Sequence, residues 1–183
     1  MSAVILFCTC WMTAALADPD WVLGEKSLSR MGISDVPLTA NLFNIACITC
    51  GGLGLVPAVS KTKHSAGIDR LSGVLLVMGC ISLMCVGIVQ INDAVDVCLH
   101  DVFAFMFFGS AMSALVTSIV ADLRSGHVRY GAVTLGSVVL FFIAYFTTQF
   151  GVYEAIGVLG IMVWMALQSV RILESPDDPE PSA

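Results

Sequence analysis

Residues 71–92 read LSGVLLVMGCISLMCVGIVQIN, a run with no Asp, Glu, Lys or Arg from its first residue to its last. A helix crosses the hydrocarbon core of a bilayer, about 30 Å thick, with about 20 such residues. Length and content together therefore make this segment a membrane span. Five more stretches of the same kind lie at 3–17, 41–60, 102–121, 131–148 and 155–173. Short polar breaks separate them, opening with Asp18-Pro19-Asp20 and continuing at 61–70, 93–101, 122–130 and 149–154. The pattern predicts an all-α integral membrane bundle of six transmembrane helices, forming one domain over residues 1–173.

Composition supports that class. The chain has 183 residues, of which 57% are hydrophobic and 12% charged, with a mean hydropathy of +0.91. Soluble domains carry about 25% charged residues. The net charge of −6 is concentrated at the end. Glu174, Asp177, Asp178 and Glu180 sit among prolines in an acidic tail, 174–183, which is expected to be disordered because it cannot build a core. Lys and Arg are scattered, with no basic helix face, so no nucleic-acid partner is expected. Of the seven cysteines, six lie in apolar stretches, where a thiol behaves as a small hydrophobe. Cys47-x-x-Cys50 has redox spacing but lies within a span, so packing is the better reading.

The first stretch is short. Ala15-Leu16-Ala17 before Asp18 would suit a signal peptidase, whereas the lack of Lys or Arg ahead of the apolar run favours a retained helix, extended by tilt or by residues 21–23 at the interface. With six spans retained, orientation follows from the excess of basic residues on the cytoplasmic side. Lys61, Lys63, Arg70, Arg124, Arg129 and Arg171 all fall on one side, and the third and fifth breaks contain no Lys or Arg. Both termini are expected in the cytoplasm, with the protein in the inner or plasma membrane. Small residues that let helices approach closely recur as Gly109, Ser113 and Thr117 and, beside them, as Ser110, Ala114 and Ser118.

Polar residues at span ends are costly at membrane depth unless paired or wet. Three breaks bring Asn41, Asn44, Asp96, His100, Asp101 and Glu154 to the outer side. Asp96, Asp101 and Glu154 suit helix N-termini, where free donors and the dipole favour a carboxylate. The sharper reading is an outer pocket of Asn44, His100, Asp101 and Glu154 that meets a lipid headgroup or another polar ligand. No metal site is expected, because His64 and His127 lie in opposite-side breaks. No G-x-S-x-G, H-E-x-x-H or P-loop occurs, and no cofactor is implied.

Residues 27–55 carry a resemblance. Ser29-Arg30-Met31-Gly32-Ile33-Ser34-Asp35, then Pro37, then Asn41-Leu42-Phe43-Asn44 and a glycine-rich helix resemble the bacterial and archaeal membrane family called domain of unknown function 998. The likeness extends to His100 with the aromatic run 103–108 and to Glu154 followed by Trp164. That family in turn looks similar to the eukaryotic DRAM-type six-span proteins. The resemblance implies six helices, a long first outer break and a retained first span, with Gly32, Pro37, Phe43, Asn44, His100 and Glu154 as the matched positions. It implies no reaction, although the eukaryotic relatives are linked to lipid and membrane homeostasis. The seven cysteines depart from the family pattern. The chain thus reads as a lipid-associated or regulatory membrane component whose partner is membrane lipid. The alternative is an intramembrane hydrolase or transferase acting on headgroups, with His100 as acid/base oriented by Glu154 or Asp101.

This topology predicts that impermeant thiol reagents label Cys98 from outside the cell, whereas reporters fused after Lys63, Arg124 or Glu174 are active only in the cytoplasm. A reporter after Arg124 that works only outside would reverse the orientation.

Overall fold

The computed structural model describes residues 2–91 and 94–174, with the side chains of residue 94 and residues 171–174 left aside. Asn92, Asp93 and the expected disordered tail beyond residue 174 lie outside the described residues. Six helices follow one another: α1 Ser2–Ala17, α2 Pro37–His64, α3 Gly67–Ile88, α4 Ala94–Arg124, α5 Val128–Thr147 and α6 Phe150–Glu174. A short 3-10 helix, Leu28–Ile33, lies between α1 and α2. Among the described residues there is no strand. Helices α2 to α6 are long and apolar enough to cross a membrane, and α1, with 16 residues, is shorter. At 1.5 Å per residue α1 spans only about 24 Å.

Several helices outrun the apolar stretches that announce them. The fourth begins at Ala94 rather than 102, and the sixth at Phe150 rather than 155. Backbone hydrogen bonding does not stop where the hydrocarbon does. The breaks read at 93–101 and 149–154 are thus mostly helix, and two of the three carboxylates read as caps are displaced by this. Asp96 does lie in the first turn of α4, but Asp101 is two turns inside α4 and Glu154 one turn inside α6.

Consecutive helices run antiparallel and each packs on the next, with α6 returning to touch α4, α1 and the 3-10 helix. Close glycine contacts set the tightest pair. A Cβ on Gly51 would stand 2.6 Å from the Cys80 carbonyl oxygen, and one on Gly87 2.6 Å from the Asn44 carbonyl oxygen. Only a residue without a side chain lets α2 and α3 approach so closely. Between α3 and α4 the hydroxyls of Ser72 and Ser118 lie 2.8 Å apart, and Ser72 also donates to the Ala114 carbonyl. Phe7, Met31, Phe43, Phe107, Leu115 and Trp164 fill the interior. Many exposed hydroxyls, such as Thr49, Thr117 and Thr147, donate to the carbonyl four residues earlier, which spares an apolar solvent an unpaired donor.

Of the two small-residue rows in α4, the structure uses the second. Ser110, Ala114 and Ser118 are buried, whereas Gly109 and Ser113 are exposed and nothing lies within 4 Å of a Cβ built on Gly109. Gly109 therefore brings no neighbouring helix close. Basic residues gather at one end of the bundle, at the close of α2 and of α4, beside the starts of α3 and α5. The end opposite holds the 3-10 helix and the α3–α4 and α5–α6 connections.

Gly87→Ala should lower stability by about 1–3 kcal/mol through overpacking against backbone, whereas Gly109→Ala should be neutral or slightly stabilising, by up to about 1 kcal/mol of helix propensity. Thermal melts of both variants in detergent check this. Equal melting would mean that α2 and α3 are not in tight contact at Gly87.

Candidate functional site

The segment from Asp18 to Val36 forms the roof of the end that lacks the basic cluster. Four interactions hold it. Ser34 Oγ donates to Asp18 Oδ2 at 2.5 Å, and the Trp21 indole N–H donates to the Ser27 carbonyl at 3.1 Å. Asn44 Nδ2, from α2, donates to the Gly32 carbonyl at 3.0 Å, and the Leu28 backbone N–H donates to Glu154 Oε2, from α6, at 2.7 Å. A carboxylate at the N-terminus of a short helix satisfies one of its orphan donors. Glu154 therefore does cap a helix, but the 3-10 helix rather than its own. Gly32 sits against the Asn44 side chain, whose Oδ1 would be 2.6 Å from an added Cβ.

Under this roof lie two chambers that share a wall. The inner one, about 40 Å³, is bounded by Phe7, Phe43, Leu83, Val86, Phe107 and Met162 from five helices. The outer one, about 440 Å³, opens between α4, α5 and α6 and is lined by Phe105, Phe108, Phe141, Tyr145, Phe150 and Tyr153. Sites for small ligands commonly measure about 300–1,000 Å³. Ser29, His100, Ala104, Phe108 and Glu154 line both chambers. The aromatic wall is mutually packed, with Tyr145 and Tyr153 rings 5.1 Å apart and Phe150 and Tyr153 rings 5.2 Å apart. Phe105, at 81% exposure, stands at the mouth.

The four residues anticipated from the sequence divide. His100 and Glu154, 3% and 8% exposed, lie on the shared wall, and Asp101 lines the outer chamber only. Asn44 lines neither chamber, because its amide is taken by Gly32. No hydrogen bond joins His100 to Asn44, Asp101 or Glu154 among the described residues. His100 Nδ1 instead meets the Val89 carbonyl at 2.9 Å, across the α3–α4 connection. Its Nε2 is buried with no partner. Ser29 and the stacked rings of α5 and α6 were not anticipated. The four-residue spacing of Phe141 and Tyr145 was the signal, since it places both on one helix face.

A second buried carboxylate lies at the basic end. Asp122 is fully buried in α4, within the stretch read as the fourth break, and Gln168 Nε2 of α6 approaches its Oδ2 at 3.4 Å. The described residues include no group of three or more His, Cys, Asp or Glu side chains placed to hold a metal ion. Cys47 and Cys50 are buried as free thiols.

These features define a polytopic all-α membrane protein with a roofed, aromatic-lined cleft at one end. The chain belongs to the family described as "Protein of unknown function (DUF998)", whose model matches residues 1–171. No curated protein and no solved structure matches it, so the likeness to DRAM-type proteins stands as an expectation.

The roof has a built-in pH limit. The Ser34 hydroxyl, followed by the backbone N–H groups at Asp20 and Trp21 and the charge of Lys26, holds the Asp18 carboxyl below the usual carboxylate range. A depressed folded-state pKa stabilises the roof at neutral pH, and that stabilisation is lost as pH falls through the depressed value. Hydrogen exchange over residues 18–36 should accelerate below about pH 4, and Ser34→Ala should move the acceleration to higher pH. Coincident profiles for the two proteins would remove Asp18 from the account.

Proposed function

We propose that this protein binds a membrane amphiphile in the cleft between α4, α5 and α6, with its polar head against His100 and Glu154 and its chain along the aromatic wall. The observation that carries the reading is the siting of two buried polar side chains, His100 and Glu154, on the wall of a largely apolar cavity that is open to the surface. A group of that kind at membrane depth marks a functional site by default. Asp101 stands at the rim of the outer chamber. Asn44 contributes by positioning the 3-10 helix rather than by touching the ligand.

In this reading all six helices span, α1 by virtue of tilt or local thinning of the bilayer, and both termini are cytoplasmic in a cell membrane because the basic end faces inward. The cleft then sits at the outer boundary, where Trp21, Tyr145 and Tyr153 match the interfacial preference of amphipathic rings. We favour binding over catalysis on headgroups. Ser29, His100 and Glu154 share the cleft but are each tied elsewhere, to Ser27, Val89 and Leu28. A nucleophile, base and orienting acid would have to bond to one another.

The test is photolabelling. A phospholipid and a diacylglycerol, each with a diazirine in an acyl chain, are reconstituted in turn with the protein, and at least one should label α4, α5 and α6 at the cleft. Ala104→Trp, which places an indole on the wall of both chambers, should abolish that labelling while leaving labelling of the outward faces intact. Labelling indifferent to Ala104→Trp would sink the reading.

A further inference from the structure

We infer that the head of the bound amphiphile is a hydroxyl donor that carries no phosphate, as in a diacylglycerol. This deepens the binding reading above and rests on it. The first step is the state of the histidine. A carbonyl oxygen only accepts, so the 2.9 Å contact to Val89 requires His100 Nδ1 to carry its proton. In the uncharged ring Nε2 is then a bare acceptor. That atom is buried on the shared wall of both chambers with no partner. A buried acceptor left unpaired is costly, and a ligand with an O–H group at that point removes the cost.

Charge supplies the second, independent step. No Lys or Arg lines either chamber, whereas recognition of phosphate ordinarily uses those side chains, helix N-termini or clustered backbone donors. Of the backbone donors at the start of the 3-10 helix, the Leu28 N–H is taken by Glu154 and the Arg30 N–H by the Ser27 carbonyl. Lys26 and Arg30 line a separate polar hollow of about 430 Å³ together with Asp18, Asp20, Glu25 and Asp35. The cleft itself presents the carboxyl groups of Asp101 and Glu154, which accept from a hydroxyl, and no Lys or Arg to meet a phosphate. Its aromatic walls take the chains.

The experiment is competition against the photoreactive diacylglycerol in nanodiscs, with three competitors of identical acyl chains: a diacylglycerol, its 3-O-methyl ether and the corresponding phosphatidic acid. Diacylglycerol should displace the probe about tenfold more effectively than the ether, which has lost only the O–H, and phosphatidic acid should be weaker still. His100→Phe should bring the alcohol and its ether together as competitors. Equal competition by alcohol and ether in the wild-type protein, or tighter binding of phosphatidic acid, overturns the inference while leaving lipid binding in place. Failure of both the phospholipid and the diacylglycerol probe to label the cleft overturns the binding reading itself. The wild-type comparison stands even if His100→Phe does not fold.

Discussion

An apolar solvent offers no hydrogen bonds, and the architecture is arranged around that constraint. Inside the hydrocarbon every backbone N–H and C=O must find its partner within the protein. The chain meets this with six helices and with hydroxyls turned back onto their own carbonyls. The 3-10 helix poses the harder case, since its first donors and a carbonyl at its far end face the bundle rather than water. Glu154 takes the donor at Leu28, and Asn44 supplies a donor to Gly32. Two polar side chains from distant helices thus fasten a segment that would otherwise leave orphaned groups over the core.

Much of the fold was legible. A charge-free run such as 71–92 admits one reading in a protein this apolar, and the alternation of basic and non-basic breaks correctly grouped the ends of the helices into two sets. Helix boundaries were less legible, because the residues that stop at the membrane surface are not the residues that stop a helix. The two small-residue rows of α4 show the same limit. Ser110, Ala114 and Ser118 are one position away from Gly109, Ser113 and Thr117, and local sequence gives no reason to prefer either face. Only the arrival of Ser72 and Gly79 from α3 decides it.

The candidate site was legible in part, and for a physical reason. His100 and Glu154 were noticeable as polar groups at the ends of apolar runs, which is where cost and purpose coincide. Asn44 met the same criterion but serves the backbone of Gly32. A side chain that satisfies a carbonyl and one that meets a ligand look alike in sequence. Asp122 was passed over because it lies within two residues of Arg124 and reads as part of a polar break, although α4 carries it into the interior. The aromatic wall was obscured by its own composition, since Phe and Tyr in a membrane helix usually face lipid.

The hydrogen bond between Leu28 and Glu154 joins residues 126 positions apart, while nearly every other helix contact is between sequence neighbours. Such a chain can enter the bilayer as successive hairpins during synthesis, each stable enough to wait for the next. The roof cannot be fastened until α6 arrives, because the carboxylate it needs is carried by that helix. A chain that has inserted only α1 to α5 lacks the Glu154 acceptor and leaves the Leu28 donor unpaired. Fastening of the roof therefore follows the insertion of α6.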